Sequence, residues 1–93
     1  NDNDGGGIFE HLPPRQLDEF ERCFGTPHGL DLAQIASGFG MRTSRITTRA
    51  DLAQFVTAEA PGLAVGVLKT DRQRCNASAQ DLFAAVERTL PTA

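Results

Sequence analysis

The first nine residues hold the densest chemistry in the chain. Asn1-Asp2-Asn3-Asp4 sets four oxygen-bearing side chains directly before Gly5-Gly6-Gly7. Amide and carboxylate oxygens are hard donors. They suit hard divalent cations such as Mg²⁺, which wants near-octahedral geometry and is usually shared with substrate phosphates. Asn3 can present its side-chain carbonyl, and Gly5, two residues on, can present its main-chain carbonyl from the turn. Glycine at that point lets the backbone approach a metal or phosphate without a Cβ in the way. A frayed terminus is the alternative reading of residues 1–7.

Other site chemistries fail on spacing. With Gly5 at the glycine position of an EF-hand, the first ligand would precede Asn1. With Gly6 there, the closing acid falls on Leu12. No Lys-Ser/Thr follows the glycines, which excludes a Walker loop, and no GxGxxG occurs. His11 and His28 stand 17 residues apart with no Cys, His or acid at ligand spacing, so zinc is not expected. His28 lies in the turn Thr26-Pro27-His28-Gly29 and carries no assigned role. Cys23 and Cys75 form no close pair and read as reduced thiols of a cytoplasmic protein, with Cys23 packed beside Phe20 and Phe24. Asp71 and Arg72 are expected in a solvated turn. Asn76-Ala77-Ser78 matches a glycosylation sequon, but Ser78 reads better as a helix cap.

The elements that must position these residues follow from periodicity. Leu17, Phe20 and Phe24 recur at three and four, predicting a short amphipathic helix closed by Gly25. Asp31 caps a second helix, with Leu32, Ile35 and Phe39 facing inward and Gly38 and Gly40 at its end. Residues 41–47 read as a brief strand centred on Ile46. Thr48 and Asp51 form a capping box for a helix burying Leu52, Phe55 and Val56, stopped by Ala60-Pro61-Gly62. Residues 63–68 are continuously apolar, as in a strand covered on both faces of a parallel sheet. Ser78 and Asp81 mark the last helix, with Leu82, Ala85, Val86 and Leu90 as its stripe and Pro91 beyond.

Strands separated by helices imply an α/β class with short parallel strands. Two strands do not make a stable sheet, so the sheet is incomplete in this chain and residues 1–93 read as a single partial domain. The length of 93 residues allows one small domain and no more. Composition is that of a soluble globular chain: 40% hydrophobic, 23% charged, mean hydropathy −0.28. The net charge of −3 is uneven, with seven acids and two arginines in residues 1–31. No basic stripe with interleaved aromatics occurs, so nucleic acid is not an expected partner. The longest apolar run, residues 63–68, is far short of the ~20 residues of a membrane span.

One resemblance is specific. Asn3-Asp4-Gly5-Gly6-Gly7-Ile8-Phe9 resembles the end of the diphosphate-binding motif of thiamine diphosphate enzymes, and more narrowly the 2-succinyl-5-enolpyruvyl-6-hydroxy-3-cyclohexene-1-carboxylate synthase family of menaquinone biosynthesis. Leu12-Pro13, Phe24-Gly25-Thr26-Pro27-His28 leading to Asp31, Phe39-Gly40 and Lys69-Thr70-Asp71-Arg72 also fit. The resemblance implies that the chain is the C-terminal part of the diphosphate-binding domain, with residues 1–9 ending the cofactor and metal motif. Asn3 and Gly5 would be the Mg²⁺ ligands. Asn3, Gly5, Ile8 and Phe9 would contact thiamine diphosphate, and Ile8, Phe9 and more weakly Leu12 would wall the substrate pocket. No residue here is implied as catalytic.

The implied reaction decarboxylates 2-oxoglutarate on the cofactor and adds the succinyl-semialdehyde unit to isochorismate. The first metal ligand, an Asp, would lie upstream of residue 1, and the glutamate that activates the cofactor would come from a partner subunit of a homo-oligomer. The remaining domains of the parent enzyme are thus the implied partners. The isolated chain is expected to be inactive, to bind cofactor negligibly and to self-associate. Two alternatives stay open: a fragment of another thiamine diphosphate decarboxylase or synthase, and a stand-alone interaction module without activity.

Overall fold

A computed structural model describes residues 1–92. Its centre is a βαβ unit. Strand β1 (Arg42–Ile46) runs parallel to β2 (Ala64–Leu68), with Arg42 opposite Ala64 and Ile46 opposite Leu68. Helices α1 (Leu32–Gly38) and α2 (Arg49–Thr57) flank them, and α3 (Arg72–Thr89) follows β2. This is the α/β fragment with an incomplete sheet that the sequence predicts.

The N-terminus is part of this sheet, not frayed. Asp2 pairs in parallel with Lys69 just past β2. Its N–H donates to the Leu68 carbonyl at 2.8 Å, and its carbonyl accepts from the Thr70 N–H at 2.9 Å. Asp2 is accordingly buried, at 6% exposure. Residues 3–9 therefore leave the sheet at the C-terminal ends of the strands, where α/β sheets bind ligands.

Local chemistry accounts for the helix starts. The Thr48 hydroxyl accepts from the Asp51 N–H while the Asp51 carboxylate accepts from the Thr48 N–H, completing the capping box on α2. The Asp31 carboxylate accepts from the Gln34 N–H at 3.1 Å and starts α1. The start of α3 corrects the sequence reading. It begins at Arg72, capped by the exposed Asp71 through the Arg74 N–H at 2.8 Å, so Ser78 lies inside the helix and is not its cap.

Residues 17–24 also depart from expectation. Where a single amphipathic helix is expected over Leu17 to Phe24, residues 17–19 form an irregular turn and a five-residue π-helical turn (Glu21–Gly25) follows; a 3₁₀ turn (Pro13–Gln16) precedes them. The Pro13-Pro14 pair brings no N–H donors, and Leu17 caps the 3₁₀ turn with its N–H on the Pro14 carbonyl. Phe20 is buried and stacks on Phe24 at 6.0 Å, but Leu17 is half exposed and Cys23 is exposed rather than packed beside them.

The apolar stripes are present but point differently. On α1 the small residues Ala33 and Ala36 are buried, and Ile35 and Phe39 face out. On α2, Phe55 is half-buried while Leu52 and Val56 are exposed. On α3, Leu82, Val86 and Leu90 are exposed and Ala85 is half-buried. The described core is only Phe20, Ala33, Ala36, Ile46 and Val67. The radius of gyration is 17.4 Å, against about 12 Å for a compact domain of this length. The stripes were legible, but the surfaces they would bury against are not among the described residues. No described helix is long and apolar enough to cross a membrane.

Candidate functional site

Residues 2–9 form a tight hairpin anchored at both ends. Asp2 is held by β2, and its carboxylate accepts from the Asp4 N–H at 3.0 Å. Asp4 is left-handed, with φ 57°, and Gly5 follows at φ 135°. The Gly6 N–H then donates to the Gly25 carbonyl at 2.7 Å, and the Gly7 N–H to the Gly5 carbonyl at 3.0 Å. The Phe9 N–H closes a 3₁₀ turn (Gly7–His11) on the Gly6 carbonyl.

The glycines serve this approach directly. A Cβ on Gly5 would collide with the Gly25 carbonyl oxygen, and one on Gly6 with the Phe24 carbonyl oxygen. The space a side chain would need is filled by the chain's own π-helical turn. At Gly7 it is filled by the Asn3 side-chain amide, which folds over that residue. The hairpin and residues 24–26 thus form one unit, with Phe9 edge-on to Phe24 at 5.7 Å.

A second contact holds the other side of the hairpin. The Asp4 carboxylate accepts from the His28 N–H at 3.1 Å and the Gly29 N–H at 2.8 Å. The Gly29 bond foremost, and the nearby His28, hold that carboxyl below the usual carboxylate range. The His28 ring turns back on the hairpin. Its Nδ1 accepts from the Leu30 N–H at 2.9 Å, and its Nε2 lies 3.4 Å from the Asp2 carboxylate. The separation of 24 residues between His28 and Asp4 carries no local sequence signal for this contact.

A third contact links the hairpin to α3. The Arg72 Nη2 donates to Glu21 at 2.7 Å, and its Nη1 lies 3.7 Å from Glu10. Glu10 and Arg72 are both largely buried, so Arg72 is not the solvated turn residue expected from its neighbours. A pair 62 positions apart in the chain leaves no mark in the sequence pattern.

The candidate residues themselves stand as follows. Asn3 is half-buried between Asp2 and Asp4, and Gly5 sits at the crest of the turn. Together they offer an amide oxygen and a peptide oxygen two residues apart. That donor set fits a hard divalent cation in chemistry, and the second lone pair of the Gly5 carbonyl is free of the Gly7 bond. Among the described residues no group of three or more His, Cys, Asp or Glu forms a metal cluster. Ile8 is 72% exposed and Leu12 46% exposed. Phe9 alone of the expected wall packs within the chain. At the C-terminal ends of the two strands a cleft of about 310 Å³ is lined by Arg45, Ile46, Thr47, Val67, Leu68 and Lys69, with no residue of the hairpin in its wall.

Parallel strands, an incomplete sheet and a glycine hairpin at the strand ends define the class: a piece of an α/β domain whose ligand side lies at the strand C-termini. No family model matches the chain. Curated proteins do. The chain is 41% identical over 87 residues to the 2-succinyl-5-enolpyruvyl-6-hydroxy-3-cyclohexene-1-carboxylate synthase of Kineococcus radiotolerans, covering 90% of this chain and 16% of that protein. It is 37% identical over 89 residues to the synthase of the same name from Thermobifida fusca, covering 92% and 16%. The corresponding Rhodococcus erythropolis protein is 42% identical over 73 residues, covering 75% and 13%. The chain is a fragment of this synthase family, and it spans about one-sixth of the length of the curated relatives it matches.

Proposed function

We propose that the chain supplies the C-terminal end of the diphosphate-binding domain of a thiamine diphosphate-dependent carboligase. The complete enzyme decarboxylates 2-oxoglutarate and adds the four-carbon unit to isochorismate. Thiamine diphosphate, when bound, supplies the electron sink for that chemistry. The residues of this chain bind, orient and exclude water. Asn3 through its amide oxygen and Gly5 through its carbonyl would hold Mg²⁺, which would supply positive charge for the diphosphate. Ile8, Phe9 and Leu12 give the pocket an apolar wall, and no side chain here moves a proton in the reaction.

The observation that carries this reading is the anchored hairpin at the C-terminal ends of the strands. It is a turn built on Gly5 and Gly6, pressed against residues 24–26, with Ile8 projecting outward beside it. The names of the relatives support the same reading. A third metal ligand, an Asp, comes from the rest of the enzyme, as does a glutamate from a partner subunit of the homo-oligomer. The chain alone therefore binds cofactor negligibly and is inactive.

Calorimetry on the complete synthase tests the proposal. Asn3→Ala weakens uptake of thiamine diphosphate with Mg²⁺ by at least about tenfold, as loss of a direct ligand should. Unchanged uptake would contradict the assignment. For the isolated chain, micromolar binding would show that the outside ligand is dispensable.

A further inference from the structure

We infer that Asp4 and His28 are positioning residues, a clamp that holds the oxygens of Asn3 and Gly5 in the arrangement a divalent cation requires. The inference rests on reading those two residues as cation ligands. Asn3 has a pinned residue on each side. Before it, Asp2 is locked to β2 through both its N–H and its carbonyl. After it, Asp4 is held by the backbone N–H groups of His28 and Gly29, 24 and 25 positions away. A left-handed aspartate, with φ 57°, persists where surrounding contacts over-determine it. The two N–H bonds from residues 28 and 29 are those contacts. They fix Asp4, from which Gly5 turns into the Gly5–Gly6 peptide that carries its carbonyl; the far end of that peptide is held by the Gly6 N–H on the Gly25 carbonyl.

His28 ties the two pins together. Its Nδ1 accepts from the Leu30 N–H at 2.9 Å and lies 3.4 Å from the Asp4 carboxylate. Its Nε2, on the other side of the ring, lies 3.4 Å from the buried Asp2 carboxylate. One imidazole thus spans the 28–30 turn and the start of the hairpin, and that same Asp2 carboxylate receives the Asp4 N–H. Neither Asp4 nor His28 needs to touch the cation. Each acts through Asn3 and Gly5, as the outer partners of metal ligands do.

Two measurements test this separately from the ligand reading. In the complete synthase at saturating thiamine diphosphate, Asp4→Ala and His28→Ala each raise the Mg²⁺ concentration for half-saturation by about 10–100-fold. Asp4→Asn keeps an acceptor oxygen for the two N–H groups and restores most of the affinity. A role in general stability alone would lower Tm while leaving the Mg²⁺ requirement of the folded enzyme unchanged, and that result overturns the inference. In the complete synthase without metal, amide exchange at Gly6 and Gly29 reads the clamp directly. Faster exchange in Asp4→Ala and His28→Ala supports it, and unchanged exchange overturns it. Should Asn3→Ala leave Mg²⁺ uptake unaltered, the ligand reading fails, and the exchange rates alone then decide the clamp.

Discussion

At the scale of single residues, the hairpin is built by groups that exclude alternatives. Gly5 combines a φ of 135° with a Cβ position occupied by the Gly25 carbonyl oxygen. Gly5→Ala therefore forces the hairpin off the π-helical turn, at a cost of about 1–3 kcal/mol in local strain. Loss of the Gly6 N–H protection by amide exchange is the expected readout, and full protection would contradict the packing described. The Arg72 pair is a second such case. Arg72→Ala leaves the Glu10 carboxylate largely buried with no cation beside it, an uncompensated charge that costs about 3 kcal/mol or more. Glu10→Gln, which removes the charge itself, costs less. Denaturant midpoints measured on the two variants should fall in that order; the reverse order would mean that the pair does not join the hairpin to α3. Asn3 and Gly5 were legible in the sequence because their chemistry is local. Asp4–His28 and Glu10–Arg72 were not, because pairs far apart in the chain meet only once the sheet and the turns exist.

Elements were legible where a local rule decides them. The capping box at Thr48 and Asp51 is such a rule, and α2 starts there. The Asp51 carboxylate accepts from the Thr47 N–H and hydroxyl and from the Thr48 N–H. Those bonds, led by the Thr47 N–H, lower its pKa from 3.8 to about 2. A carboxylate depressed on folding adds stability that is fully present above its unfolded value. That stability is lost as pH falls through the folded value. Helicity of α2 should therefore weaken as the pH drops from about 4 towards 2, and the Asp51→Ala variant should lack this step. An identical acid profile in both proteins would remove Asp51 as the cause. The strands were legible too, from the β-rich run at 63–68 and the helix between it and residues 41–47. Residues 17–24 depart from the expected helix because periodicity at three and four does not distinguish a continuous helix from an irregular turn followed by one π turn. The start of α3 differs from the expected Ser78 because aspartate and serine are equally good helix caps, and only the Arg74 N–H on Asp71 shows which is used.

For the whole molecule, the dominant fact is apolar surface without cover. Ile8, Phe39, Val56, Leu63, Leu82, Phe83 and Leu90 are each more than half exposed. Such surface, together with an open parallel sheet edge, favours association. Light scattering on the isolated chain should report self-association that grows with concentration, and a clean monomer at high concentration would count against it. The inward orientation expected for the apolar stripes failed for the same reason: periodicity gives a helix its apolar face, but the partner surface has to come from elsewhere in the fold. The relatives, about six times as long as the segment matched here, have ample chain to provide it.

Crystallography of the complete synthase with thiamine diphosphate and Mn²⁺ in place of Mg²⁺ tests the central assignment most directly. An anomalous peak within about 2.0–2.3 Å of both the Asn3 amide oxygen and the Gly5 carbonyl oxygen is the expected result. A bound metal ion with either oxygen turned away from it would contradict the account.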